Sequence, residues 1–268
     1  MSLFLLRLRL LLALLAGGPS VVAYAQQMSI EAADSTVHSS RFSCRQRAAL
    51  RIAVPSVLVG IGVLAHSNQY NETLYRAKLD MQHETQEVFR GFDARGADDY
   101  TRHVPLAMAY AMMATGHRGE RSAVGFTLIY LAAHELDAAV VSNLKRVTAE
   151  PRPYNPNDLS SFPSSHTSQA FLTATLLHEQ YGRQYPWLSV SGYAVATATG
   201  AMRLLGNKHW ATDVLAGAGI GFLSAETIWH LYPALTKVLP PRVAHKLLLV
   251  PTYQPGGGAG LALDFTPR

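Results

Sequence analysis

Residues 203–225 read RLLGNKHWATDVLAGAGIGFLSA. The run from Val214 to Ala225 is uncharged and rich in Ala, Gly and Leu, a composition and length that favour helix over strand. Inside it, Leu215–Leu223 (LAGAGIGFL) sets small residues three and four apart, which lets a second helix approach closely in lipid or in a core. Ahead of it the spacing is Arg203, five residues, His209, three residues, Asp213. On one helix, His209 and Asp213 would share a face. A carboxylate there can accept a proton from one imidazole nitrogen and leave the other free to attack.

Outward from this stretch the same composition recurs. Ile52–Ala65, Val104–Gly116, Ser122–Ala133, Thr167–Leu177 and Trp187–Met202 are apolar segments that, with Val214–Ala225, make six predicted helices. Between the first two, Asn71–Arg90 is dense in Glu, Gln, Arg and Lys and reads as an exposed helix. Uncharged runs bounded by Arg51, Glu135, Asp137, Glu179, Arg203 and Glu226 are shorter than the roughly 20 residues of a membrane span. Six apolar helices in a chain of slightly positive mean hydropathy nevertheless tip the expectation towards membrane embedding, provided the charges point inward.

At 268 residues the chain suits one domain, expected over residues 47–235. The opening MSLFLLRLRLLLALLAGGPSVVAYA reads as an export signal over 1–25, with an uncleaved membrane anchor as the alternative; residues 26–46 form a polar lead-in. Removing Arg7 and Arg9 with the signal takes the formal charge from +5 to about +3. The basic residues are dispersed, so nucleic acid is not an expected partner. Cys44 is the single cysteine, so no intrachain disulfide can form. The tail, 236–268, carries LLLVPTY, QPGGGAG and LALDF, read as a short β-hairpin.

Two further clusters carry chemistry. In KRVTAEPRP, Lys145 closes a helix and Arg152 leaves it between Pro151 and Pro153, so two cations can converge on one anion. In FPSSHTS, Ser164 and Ser165 are natural N-cap residues, and the free amides of the first helical turn favour an anion beside His166. Other motifs fail: HELD at 134–137 lacks the second histidine of a zinc-protease helix, and no Walker loop or GxSxG elbow occurs.

Taken in order, these clusters resemble the type 2 phosphatidic acid phosphatase (PAP2) and vanadium haloperoxidase superfamily. The match covers Lys145, Arg152 and Pro153, then Pro163, Ser164 and His166, then Arg203, His209 and Asp213. Ser165 stands where the family has glycine and Met202 where it has serine. A backbone amide survives at 165, whereas the lost hydroxyl at 202 removes a hydrogen bond worth roughly 0.5–1.5 kcal/mol.

The resemblance implies an all-α fold, a six-helix core bundle of the PAP2 type, and a metal-independent phosphatase with no cofactor. His209, held by Asp213, would attack phosphorus. Lys145, Arg152 and Arg203 would neutralise the phosphate oxygens with help from Ser164 and the Ser165 amide, and His166 would protonate the leaving group. The implied partner is a lipid phosphate at the outer face of the cell membrane. The alternatives are a soluble periplasmic acid phosphatase, a vanadium-dependent haloperoxidase and a non-catalytic binder of anionic lipid.

Overall fold

The computed structural model describes residues 44–66, 71–238, 247–254 and 258–265. The export signal, most of the lead-in and residues 239–246 lie outside them. Eight helices occur among the described residues: α1 (Cys44–Leu64), α2 (Glu72–Val88), α3 (Ala97–Thr101), α4 (Val104–Ala114), α5 (Ala123–Thr148), α6 (Ser165–Tyr181), α7 (Pro186–Leu205) and α8 (Ala211–Val238). The domain is helical, as expected. Each of the six apolar segments lies chiefly in α1 or α4–α8. Backbone segments β1 (Leu247–Gln254) and β2 (Gly258–Phe265) pair antiparallel, Leu247 opposite Phe265.

Local signals set several helix ends. Asn71 caps α2 by accepting from the Leu74 amide, Ser122 caps α5 by accepting from Gly125, and Ser164 caps α6 by accepting from Thr167. The end of α5 is not made by Pro151 and Pro153. The helix stops earlier, at Thr148, where Ala149 turns left-handed with φ 46° and its amide returns to the Lys145 carbonyl.

Helix α6 is the axis of the bundle, its residues from Thr167 to Leu177 almost all buried. It packs against α4, α5, α7 and α8, and α8 packs in turn against α1. The small residues of α8 divide between two neighbours. A Cβ on Gly217 would lie 2.6 Å from the Ser164 carbonyl and one on Gly221 1.9 Å from the Ser168 carbonyl, both on α6 or its cap; one on Gly219 would lie 2.5 Å from the Pro55 carbonyl of α1. Only glycine permits these approaches.

Phe126, Ile129, Leu172, Leu176, Leu177 and Trp229 join α5, α6 and α8 in one apolar cluster. A second cluster, Leu204, Ala211, Val214 and Leu215, backs the His209–Asp213 turn. Burying each Val, Leu, Ile or Phe side chain among them contributes roughly 1.5–3 kcal/mol.

The length argument against membrane spans is corrected. Charges do not end the helices: α5 runs 26 residues and α8 24 from Ala211 to Ala234, each apolar and long enough to cross a membrane. Of their charges, Asp137 turns inward and Glu226 pairs, while Glu135 on α5 is exposed. Asp137 accepts from the Ser168 hydroxyl, and Arg51 lies 2.9 Å from Glu179 and 3.6 Å from Glu226.

Candidate phosphate site at one end of the bundle

Helices α5 to α8 follow one another through connections of 16, 4 and 5 residues and pack on α6, so the end of α5, the start of α6, the end of α7 and the start of α8 meet at one end. That brings Lys145, Ser164–His166, Arg203 and Asp213 together.

Segment 158–164 ties the parts to one another. Lys145 Nζ donates to the Ser160 carbonyl. Arg152 donates to Ser160 Oγ at 3.1 Å, and its Nε lies 2.9 Å from Asp158 Oδ2. The Ser161 hydroxyl donates to Asp213 Oδ2 at 2.5 Å, and the Ser164 amide donates to the Asp213 carbonyl at 3.1 Å.

His209 and Asp213 do not share a helix. α8 begins at Ala211, and His209 sits in the turn before it, after Asn207 in the left-handed region with φ 56°. The pair still faces: His209 Nδ1 is 3.5 Å from Asp213 Oδ2, and the ring also bonds to the Ser161 backbone. At that distance the contact is looser than a hydrogen bond; catalytic contacts of this kind tighten when substrate binds. Both side chains are buried, with His209 1 % exposed. Burial, then the charges of Arg203, Lys145 and Arg152, push the His209 imidazole well below its ordinary value, so it is neutral at neutral pH.

Three acids unread in the sequence hold the motif side chains. Arg203 donates to Asp98, which also lies 3.6 Å from Lys208. Burial opposes ionisation of Asp98, but the Arg203 hydrogen bond and charge, with Lys208, hold its carboxyl below the usual range. Asp99 Oδ1 is 2.7 Å from His166 Nε2. Burial lowers the His166 imidazole while Asp99 raises it and Arg203 lowers it again, and the net shift is downward. Asp158 is the third, on Arg152. Arg203 Nε is buried and has no hydrogen-bond partner among the described residues.

Ser164 Oγ is committed to its cap, accepting from the Thr167 hydroxyl at 3.0 Å, with its own proton left to donate. Ser165 is the first residue of α6 and has no positive φ, so the backbone there does not require glycine. The HELD residues pair with α6, His134 with Gln169 at 3.0 Å and Asp137 with Ser168. At the other end of the bundle Glu179, Glu226 and His230 bring ligand atoms within 4.8 Å, and Arg51 already supplies positive charge there.

This is a helical cradle of three cations around a buried histidine. Residues 126–237 match the family described as the PAP2 superfamily. A lipid A 1-phosphatase from Porphyromonas gingivalis is 39 % identical over 130 residues, which cover 48 % of this chain and 29 % of that protein. The chain therefore spans less than a third of that relative's length. No solved structure gives a significant match.

Proposed function

We propose that this chain hydrolyses phosphomonoesters, with a lipid phosphate as substrate, through a phosphohistidine and without a metal. The observation that carries this is a buried, neutral His209 on which the charges of Lys145, Arg152 and Arg203 all bear, beside the unpartnered Nε of Arg203. His209 Nε2 attacks phosphorus in line and the ester P–O bond breaks. The three cations, the Ser164 hydroxyl and the Ser165 amide carry the charge on the phosphoryl oxygens, the work a metal performs elsewhere. His166 gives its proton to the departing alkoxide. It then takes one from the water that breaks the P–N bond and releases phosphate. Asp213 stabilises the imidazolium.

The named relative acts on lipid A, which supports a lipid phosphate here. Two helices long and apolar enough to span, with Asp137 turned inward, support a PAP2-type six-helix core made of α1 and α4–α8, embedded in the membrane with the site at the outer face and the C-terminal strands as a hairpin appendage. His209→Ala should abolish release of phosphate from a phosphomonoester while leaving the circular dichroism spectrum unchanged; retained turnover would overturn the mechanism.

A further inference from the structure

Helix α2 is polar and largely exposed, as expected, but one of its faces is buried. Lys78, Gln82 and Gln86, four residues apart, turn one face towards the site's scaffold. Gln86 donates to the Leu205 carbonyl at 3.2 Å, at the end of α7, and Gln82 donates to Asn207 Oδ1 at 2.6 Å in the turn before His209. Lys78 goes deepest. It is 4 % exposed and donates to Glu150 Oε1 at 2.5 Å, where Glu150 is 2 % exposed; His66 Nδ1 lies 2.8 Å from the other Glu150 oxygen.

Glu150 stands between the two halves of the site. Its carbonyl accepts from the Ser161 amide at 2.9 Å, and Ser161 donates to Asp213. The next carbonyl, of Pro151, accepts from Trp210 Nε1 at 2.9 Å, and the Trp210 amide donates to Asp213 Oδ2 at 3.0 Å. Lys78 Nζ also lies 5.0 Å over the Trp210 ring. Arg152 is two residues beyond Glu150. The carboxylates of Glu150 and Asp213 repel each other, and Lys78 is the cation that faces both.

A buried ion pair is no better for stability than apolar side chains of the same volume, so stability alone does not account for this one. We propose that Lys78 is a positioning residue for the reaction: by neutralising Glu150 beside Asp213, it holds the Arg152 arm and the His209–Asp213 turn in one arrangement. This rests on the function proposed above. Lys78 touches no phosphate and acts through Glu150, Trp210 and Asp213.

The full chain in detergent, with p-nitrophenyl phosphate as substrate and inorganic vanadate as a probe of the five-coordinate geometry, tests it. Turnover by the unaltered chain tests the function; ratios among variants test Lys78. Lys78→Met should lower kcat by about 10²-fold, the scale of a small misplacement of reacting groups, with KM within about threefold. It should weaken vanadate binding in parallel and move the acid limb of the pH–rate profile to higher pH. Lys78→Arg should recover most of kcat, and Lys78→Met with Glu150→Gln, which leaves no unpaired charge, should recover a large share. The double variant decides if the single one fails to fold. Wild-type kcat, vanadate affinity and pH profile in Lys78→Met would overturn the proposal, as would a folded double variant no better than an inactive single one. Should the unaltered chain bind vanadate without turnover, the function fails and the vanadate affinities of the same variants still decide the role of Lys78.

Discussion

In the proposed reaction, His209 and His166 divide the chemistry by protonation, and their surroundings set the division. His209 attacks as the neutral ring and is pushed well below its ordinary value near 6.5 by burial and three cations, so acidification leaves it competent until that lowered value is reached. His166 donates as the charged ring and is also lowered by burial, less far because Asp99 opposes the shift, so its proton is lost as pH rises through a value below 6.5. The kcat/KM profile, which reports the free enzyme, should therefore be a bell centred below pH 6.5. Asp99→Asn removes the contact that raises His166, and the alkaline limb should move to lower pH. A profile unchanged by Asp99→Asn would separate His166 from the proton transfer.

At the scale of elements, the site depends on how closely α8 approaches α6, because the α6 cap residue Ser164 bonds to the first turn of α8 at Asp213. Gly221 sets that approach one turn beyond Gly217. Gly221→Ala would drive a Cβ against the Ser168 carbonyl and should cost about 1–3 kcal/mol in unfolding free energy. Gly60→Ala on α1 meets nothing within 4 Å and should be neutral or slightly stabilising. Equal thermal stabilities of the two variants would contradict the packing. The sequence marked LAGAGIGFL as a close-contact surface, but two partners, α6 for Gly217 and Gly221 and α1 for Gly219, emerge only in the packed bundle.

For the whole molecule, the proposed membrane embedding turns on its exposed apolar surface. Ile52, Val54 and Val57 on α1 and Trp187 and Val190 on α7 are exposed, while Asp137, Glu179 and Arg203 are turned inward. The chain should accordingly stay with the membrane fraction through a high-salt wash. Release into the soluble fraction would overturn the embedding and leave the site chemistry standing.

The order and spacing of Lys145, Arg152, Ser164, His166, Arg203, His209 and Asp213 were legible in the sequence, because a motif is a local property of the chain. So were the six apolar helices and the Ser164 cap. The partners of those residues were not. Asp98 meets Arg203 across 105 residues, Asp99 meets His166 across 67 and Glu150 meets Lys78 across 72. A polar residue on a polar helix looks the same whether solvent or a buried carboxylate awaits it. The cradle that opened at Arg203, His209 and Asp213 was thus written in spacing. The acids that hold it, the turn that takes His209 off the helix and the burial that keeps its ring neutral were decided by tertiary packing, since only that brings distant charges into one low-dielectric place.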